Sequence, residues 1–432
     1  MNLDAHWMPF TANKAFKQKP VLMESSSGMY WTSEQGDTLL DMTSGLWCTN
    51  LGHSPARVAE AMYEASRNLG YVPSFNLGHR ASFELAERLT ELAPGNLDHV
   101  FFTNSGSEAV DTALKIAMAY HAARGESGRN LFIARERAYH GVNMGGTSVA
   151  GIRANTRQFH RWGEVDHLPH THDLARNAFS RGLPAHGVEK AQALNDLIAL
   201  HGSDRIAAVL VEPVAGAGGV LPPPAGYLRA LREICDEHGI LLIFDEVVTA
   251  FGRVGAFTAS IEFDVIPDMF TSAKGLTSGA VPMGATFCSA DIYQTVVNSE
   301  EGIELWHGYT YSAHPIACAA ASACLDIYLE ESLFTRVNEG IGREFEDAVH
   351  SLADLPQVVD IRNYGLLAAI EFAPNADGLP YGTQIFRKGL ESGLMVRGAG
   401  DSVILSPPLI MESRHLDEFV EKVRSVAKVI WE

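Results

Sequence analysis

The chain has 432 residues, of which 46% are hydrophobic and 20% charged, a composition typical of a globular protein with more than one domain. Its 52 acidic and 33 basic side chains give a formal charge of −19, which would repel a phosphate backbone and argues against nucleic acid as a partner. The longest aliphatic run is too short to span a bilayer, so no membrane association is expected.

The first residues contain neither the basic nor the apolar segment of a secretory signal. The five cysteines are odd in number and form no CxxC pair, a pattern typical of small hydrophobic residues in a reducing compartment. A cytoplasmic protein is therefore expected.

Between about residues 55 and 310, short apolar runs alternate with helical patterns. Such alternation is typical of βαβ units and predicts a large α/β domain with a mostly parallel sheet. Because the runs are apolar throughout, we expect this sheet to be covered on both faces. The predicted strands are 100–103, 131–133, 207–211, 240–244 and 269–272.

After about residue 311 the pattern changes to a mixture of helices and strands. The predicted elements are a helix from Pro315, a helical stretch over 334–352, strands over 358–362 and 366–372, and an amphipathic helix over 416–430. We assign residues 311–432, together with an N-terminal arm of residues 1–54, to a smaller α+β domain.

The first segment that carries chemistry is the strand, turn and helix between residues 100 and 115. Ser105 and Glu108 have the spacing of a capping box at the start of the helix. Unpaired amides of Gly106 and Ser107, together with the Ser107 hydroxyl, would suit a phosphate. An ordinary helix cap has the same sequence, so both interpretations stay open for this segment taken alone.

Two further segments place polar side chains after predicted strands. Tyr139, followed by His140, could stack on a flat aromatic cofactor, although a lone tyrosine is more often part of a core. Glu212 and Asp245 each end an apolar strand, at the edge where ligands of open α/β sheets bind. A carboxylate there needs a partner, which a protonated pyridine nitrogen or a structural ion pair would supply.

Lys274 lies at the end of another predicted strand. A lysine amine in a partly desolvated site loses its proton readily and can form an imine with a carbonyl. The tripeptide of residues 273–275 alone is weak evidence for such a lysine. The decisive pattern is the order of a phosphate turn, an aromatic residue, an aspartate and a lysine, each at the end of a predicted strand.

With these residues in place, the chain resembles the class III (ω) aminotransferases, which are fold-type I pyridoxal-phosphate enzymes. The resemblance extends from about residue 4 to the C-terminus. The matching motifs are 104–108, 139–141, 244–253 and 273–274. The segments that are most similar to β-alanine:pyruvate (ω-amino acid:pyruvate) aminotransferases are 3–13, 165–171 and 307–315.

The resemblance implies transfer of an amino group from an ω-amino acid or amine, such as β-alanine, to pyruvate. The products would be an aldehyde or semialdehyde and L-alanine, formed in a ping-pong sequence. Lys274 would bind pyridoxal 5'-phosphate covalently and move the proton, and Asp245 would keep the pyridine nitrogen protonated. Tyr139 and Val247 would contact the two faces of the ring.

The resemblance also implies how the phosphate is held. Gly106 and Ser107 would bind it, and Ser105 and Glu212 belong to the same cofactor-binding set. Thr310 of a second subunit would complete the site. The resemblance therefore implies a homodimer, or a dimer of dimers, with the active site at the subunit interface.

Trp47 would line the substrate pocket, and Arg397 would bind the pyruvate carboxylate as a bidentate fork. Core packing of Trp47 and a surface ion pair of Arg397 are the alternative interpretations. Many relatives that use 2-oxoglutarate carry a glutamate that pairs with this arginine. Here Ala217 stands in that position, which favours an acceptor of the pyruvate type.

The amino donor stays open among β-alanine, taurine, a diamine, an aminobutyrate and an arylalkylamine, because residues 72–77 and 398–400 depart from the β-alanine subgroup. A decarboxylase or aminomutase of the same class would use the same lysine and aspartate. A binding protein with an inactive cofactor site is disfavoured because both of those residues are present.

The sequence disfavours two other classes of enzyme, nicotinamide oxidoreductases and metal enzymes. A nicotinamide oxidoreductase is disfavoured because the glycines at 216–219 do not open a helix, as the dinucleotide fingerprint requires. No metal site is expected, because His167, His170 and His172 have Pro169 among them and no carboxylate at a matching helical spacing.

Overall fold

In a computed structural model of the chain, which describes residues 1–299, 302–376 and 378–431, the strands form three sheets. In chain order the strands are Met23–Ser27 (β1), Tyr30–Ser33 (β2), Thr38–Asp41 (β3), His99–Thr103 (β4), Leu131–Arg135 (β5), Glu164–Leu168 (β6), Ile206–Val211 (β7), Leu241–Asp245 (β8), Met269–Ser272 (β9), Gly284–Cys288 (β10), Val358–Tyr364 (β11), Leu367–Phe372 (β12), Leu394–Met395 (β13), Arg397–Ala399 (β14) and Ser402–Leu405 (β15). Every strand predicted from the sequence is present, with its ends shifted by two residues or fewer.

The large sheet has seven strands in the order β4-β10-β9-β8-β7-β5-β6. Its neighbouring strands pair in parallel, except that β10 is antiparallel to both β9 and β4. The predicted mostly parallel sheet is confirmed. In β7, Val209 and Val211 belong to one hydrophobic core and Ala208 and Leu210 to another, so this strand is covered on both faces, as its apolar sequence predicts.

The two small sheets have the orders β1-β2-β3-β13 and β11-β12-β15-β14. Because β13 pairs in parallel with β3, the N-terminal strands are joined to the C-terminal part of the chain. The domain boundaries at 54/55 and 310/311 stay a prediction. Residues 300, 301, 377 and 432, which fall within the predicted domain ranges, lie outside the described residues.

The helices pack around these sheets. Those of six residues or more are Asn13–Gln18, Ala56–Asn68, Arg80–Leu92, Gly106–Ala123, Met144–Val149, Ala193–His201, Tyr227–His238, Ala290–Val297, Pro315–Glu330, Gly342–His350, Tyr381–Glu391 and Ser413–Trp431. The predicted helical stretch over 334–352 is interrupted by a π-helical turn at Val337–Ile341. Across the part of the chain that the structure describes, no helix combines the length and apolar character needed to cross a membrane.

Arg362 of β11 connects the smaller sheets to a glycine-rich turn at residues 216–219. Its Nε and Nη2 donate to the Gly219 carbonyl oxygen at 2.9 and 2.7 Å. Its Nη1 donates to Asp360 at 2.6 Å and to Glu371 at 2.5 Å, so this arginine neutralises both carboxylates. A carboxylate pair that already has a cation is a poor metal site, although His172 lies beside it.

Candidate active site

A cavity of about 130 Å³ opens at the edge where β4, β5, β7, β8 and β9 have their carboxyl ends. This is the edge at which ligands of open α/β sheets bind. The cavity brings together most of the site residues predicted from the sequence. Its lining is Trp47, Gly106, Ser107, Tyr139, His140, Gly141, Glu212, Ala217, Asp245, Val247, Val248, Ala273 and Lys274.

One wall of the cavity is the start of the Gly106–Ala123 helix. The Ser105 side chain caps this helix by accepting from the Glu108 amide at 3.2 Å. In a complete capping box the glutamate would accept from the Ser105 backbone amide. Here the Glu108 carboxylate accepts instead from the backbone and side-chain nitrogens of Asn104, at 2.7 and 2.9 Å. Ser105 is thus a structural cap and does not line the cavity.

The helix start is shaped to receive an anion. Ser107 Oγ accepts from the Val142 amide at 3.1 Å, so its own hydrogen is available to a ligand. A Cβ on Gly106 would lie 2.8 Å from Val247 Cγ1, and one on Gly141 would lie 2.5 Å from Ser107 Oγ. Both glycines therefore permit a close approach to backbone amides at the positive end of a helix dipole.

Asp245 lies buried at the end of β8, and each of its carboxylate oxygens has a partner. Oδ2 is 2.8 Å from His140 Nδ1, and Oδ1 accepts from the Val247 amide at 3.1 Å and from Thr271 Oγ1 at 3.2 Å. These contacts fix the orientation of a negative charge at the base of the cavity.

Glu212 meets backbone amides and not a cation. Its Oε1 accepts from the Tyr139 amide at 3.0 Å and its Oε2 from the Gly216 amide at 2.8 Å. Burial raises the pKa of this carboxyl group. Glu212 therefore holds the backbone of the Tyr139 segment and of the glycine-rich turn beside the cavity.

Lys274 follows β9 with its backbone in the left-handed region, at a φ of 43°. Such strain in a residue other than glycine is typical of functional sites. Burial lowers the pKa of the Lys274 amine, which favours the neutral, nucleophilic form. Its Nζ lies 4.9 Å from the centroid of the Trp47 ring.

Arg397 also lies against the Trp47 ring. The guanidinium carbon is 4.8 Å from the centroid of the Trp47 ring, and both residues border a small gap beneath the indole. The structure thus brings Arg397 next to the cavity, although it is not one of the lining residues. The surface ion pair considered from the sequence is not formed with any residue that the structure describes.

Thr310 is a third predicted site residue, after Ser105 and Arg397, that does not line the cavity. It is exposed, and its carbonyl oxygen accepts from the Tyr71 hydroxyl at 2.9 Å. Its neighbourhood also exposes Phe75, Trp306 and Tyr311. Within one chain, no described contact joins Thr310 to Gly106 or Ser107, although the neighbouring Tyr309 hydroxyl donates to the Glu108 carbonyl oxygen at 3.2 Å.

His140 is a functional candidate that the sequence pattern alone indicates only weakly. Its side chain is fully buried, and its Nε2 has no hydrogen-bond partner among the described residues. The residue is 105 positions from Asp245 in the chain. In the sequence, a role for His140 in the site is indicated by its place directly after Tyr139, in a segment that follows a strand.

Comparison with known proteins agrees with this geometry. The family model for aminotransferase class-III matches residues 11–427. The chain belongs to the class III aminotransferases. An ω-aminotransferase of Caulobacter vibrioides is 51% identical, covering 98% of this chain and 97% of its own. A β-alanine–pyruvate aminotransferase of Pseudomonas aeruginosa is 46% identical, covering 98% of this chain and 95% of its own.

Solved aminotransferases share the whole fold. An (S)-enantioselective ω-transaminase from Thermomicrobium roseum superposes with a TM-score of 0.93 at 34% identity, covering 100% of this chain and 97% of its own. The ω-transaminase of Pseudomonas jessenii in complex with PMP superposes with a TM-score of 0.93 at 32% identity, covering 99% of this chain and 96% of its own. The fold-type I architecture implied by the resemblance is confirmed.

Class III aminotransferases use pyridoxal 5'-phosphate, and the cavity fits this cofactor at both ends. The helix start, with Gly106 and Ser107, suits the phosphate. The buried Asp245 carboxylate suits a protonated pyridine nitrogen, and the lysine amine suits the cofactor carbonyl. Tyr139 and Val247 line the space between these ends.

Proposed function

We propose that this aminotransferase moves an amino group from an ω-amino acid or amine, such as β-alanine, to pyruvate. The observation that carries the proposal is the Arg397 guanidinium, which borders the cavity without a carboxylate partner among the described residues. Aminotransferase relatives that are 45–51% identical, named for β-alanine, ω-amino acids and pyruvate, support it. None of these relatives supports a decarboxylase or an oxidoreductase.

Pyridoxal phosphate supplies a carbonyl that exchanges for an amine and a ring that withdraws electrons from the substrate carbon. Lys274 Nζ would then have two tasks: it would hold the cofactor in the resting enzyme, and it would accept and carry the proton removed from the substrate carbon. The lowered pKa of Lys274 suits both, because only the unprotonated amine is a nucleophile and a base.

Asp245 would keep a proton on the pyridine nitrogen. A carboxylate favours the charged form of a nearby cation, and the contacts with His140, Val247 and Thr271 hold this one in place. We assign His140 as the residue that orients Asp245. Tyr139 and Val247 would contact the two faces of the ring.

Gly106 and Ser107 would bind the phosphate. Ser105 would act only by capping the helix that presents them. Glu212 would contribute by positioning the backbone of Tyr139, from its place in the cavity wall. These assignments divide the predicted cofactor-binding set into residues that contact the cofactor and residues that shape its site.

The acceptor follows from the charge around Arg397. Its guanidinium can bind one carboxylate as a fork. Ala217 provides no competing carboxylate, and the described lining residues contain no arginine that could bind the second carboxylate of a dicarboxylate. Trp47 would form the apolar wall against the rest of the substrate.

The acceptor preference is the first test. With β-alanine as donor, we expect kcat/KM for pyruvate to exceed that for 2-oxoglutarate at least about tenfold, because the second carboxylate of 2-oxoglutarate would be buried unpaired. Ala217→Glu should lower kcat/KM for pyruvate about tenfold, because the new carboxylate competes for Arg397. The measurement is the initial rate of alanine or glutamate formation.

Ala217→Gln is the matched control, because it adds nearly the same volume without the charge. It is expected to retain most of the activity that Ala217→Glu loses. Equal use of pyruvate and 2-oxoglutarate by the unaltered enzyme would contradict the proposed acceptor. Turnover of other amines but not of β-alanine would keep the acceptor and change the donor.

We further propose that a second copy of the chain completes each active site, in a homodimer or a dimer of dimers. Thr310 lies on an exposed face with Tyr71, Phe75, Trp306 and Tyr311, and large apolar side chains clustered on a surface are typical of protein interfaces. Thr310 of one subunit would then reach the phosphate bound at Gly106 of the other.

Mixed dimers test this arrangement. Thr310→Asp should lower activity at least about tenfold by repelling the phosphate, and Lys274→Ala should remove it. When the two variants are co-expressed, half of the dimers are mixed and each has one intact site. We therefore expect about a quarter of the normal activity per site to return. If Thr310 acts within its own chain, no activity returns.

The location is proposed to be the cytoplasm. All five cysteines are unpaired thiols in the structure, and four of them are buried, which suits a reducing compartment.

A further inference from the structure

The Trp47 indole lies beside two basic side chains, the Arg397 guanidinium and the Lys274 amine. The Arg397 guanidinium carbon lies 4.8 Å from the ring centroid, and the Lys274 amine nitrogen lies 4.9 Å from the same centroid. Trp47 is only 6% exposed, so these contacts are largely shielded from water. Shielding strengthens the attraction between a cation and the face of an aromatic ring.

Arg397 has no other strong partner. Its side chain forms no ion pair or hydrogen bond with the residues of 1–299, 302–376 or 378–431, and its Nε is buried without an acceptor. A desolvated guanidinium without an anion is costly, and burial accordingly lowers the pKa of Arg397. The indole face is therefore a contact that stabilises this charge in the absence of an anion.

The indole is itself held firmly. Trp47 and Ser44 have left-handed backbones, at φ values of 59° and 47°. The Gly45 amide between them donates to Asp41 at 2.6 Å, and Ser44 Oγ donates to the Ser406 carbonyl oxygen at 2.6 Å. A strained segment persists only when its surroundings fix it, so the backbone that carries the buried ring is held in place beside Arg397.

We propose that Trp47 is the positioning residue of Arg397. It takes the place of the carboxylate that Ala217 does not provide, and it keeps the guanidinium directed at the cavity until a substrate carboxylate binds. This inference rests on the proposed function, in that it explains how a monocarboxylate acceptor is recognised. It assigns Trp47 a role in charge recognition in addition to forming the wall of the pocket.

The test compares a charged and an uncharged acceptor, pyruvate and propanal, in the holoenzyme. The variants are Trp47→Phe, Trp47→Leu, Arg397→Leu and the double variant Trp47→Leu/Arg397→Leu. The quantity is the ratio of kcat/KM for pyruvate to kcat/KM for propanal, which cancels effects on catalysis common to both. A second readout, independent of turnover, is the Kd of unreactive propionate measured by calorimetry.

Trp47→Leu should lower the acceptor ratio about tenfold and raise the Kd of propionate about tenfold, because the aliphatic side chain cannot hold the guanidinium. Trp47→Phe keeps an aromatic face and should change both quantities by less than about threefold. In the Arg397→Leu background, Trp47→Leu should leave the ratio unchanged, since a positioning residue acts only through the group it positions.

Two results would overturn the inference. One is an equal loss with pyruvate and propanal in Trp47→Leu, which would make Trp47 a wall of the pocket only. The other is an equal decrease of the pyruvate-to-propanal ratio when Trp47→Leu is introduced into the unaltered enzyme and into Arg397→Leu. Failure of the proposed function would be seen separately, as absence of pyruvate turnover in the unaltered enzyme, while propionate binding would still decide the role of Trp47.

Discussion

Lys274→Ala is expected to lower kcat at least about 10⁴-fold with every donor and acceptor. The variant loses the only amine that lies inside the cavity among the described lining residues, and with it the group proposed to bind the cofactor and to carry the proton. Initial rates of alanine formation from β-alanine and pyruvate measure the loss. Because Gly106, Ser107 and Asp245 remain, the protein should still retain pyridoxal phosphate after gel filtration.

Lys388→Ala is a suitable control, since Lys388 is an exposed lysine paired with Glu391 on the surface. It should leave kcat unchanged. Retention of more than about 1% of the activity in Lys274→Ala would show that another group moves the proton. Loss of cofactor binding together with activity would instead point to collapse of the site, which the unfolding temperature would reveal.

The second large effect is expected for Asp245→Asn, which should lower kcat about 10²- to 10³-fold with little change in size. A neutral amide no longer favours a proton on the pyridine nitrogen, so the ring withdraws electrons less effectively. The substitution also replaces an acceptor facing His140, Val247 and Thr271 by a group with one donor end. The measurement is the single-turnover rate of the first half-reaction, recorded as the loss of visible absorbance after β-alanine is added, together with kcat of the full reaction.

The matched control is Asp264→Asn. Asp264 is an exposed aspartate whose carboxylate pairs with Arg229 on the surface, so the same chemical change there should leave kcat unaltered. Near-normal rates in Asp245→Asn would refute the assigned role. A tenfold or smaller loss in His140→Gln would fit a residue that acts through Asp245.

The parts of the site that are local in sequence could be predicted. Strand β8 is a continuous apolar run that ends in Asp245, and the Ser105 cap follows from a serine before an apolar stripe at helical spacing. Lys274 could be placed at a strand end for the same reason. Each of these predictions depends on a few adjacent residues and on the period of the pattern.

Contacts between distant segments could not be predicted. The pairing of His140 with Asp245, and of Arg397 with Trp47 from opposite ends of the chain, depends on how the sheets pack. Glu212 shows the limit most directly. Its sequence context calls for a partner, but only the fold reveals that two backbone amides, and not a cation, supply it.

Strand β10 has a consequence for the order of biosynthesis. The turn proposed to bind the phosphate follows β4, which lies at the edge of the large sheet and pairs there with β10, the strand that ends at Cys288. A nascent chain that already contains Asp245 and Lys274 therefore still lacks the strand that hydrogen-bonds β4 to the sheet, and packing of the Gly106–Ala123 helix against β7, β8 and β9 holds the helix start near them. Complete pairing of the large sheet requires β10, and closing so long a loop is slow.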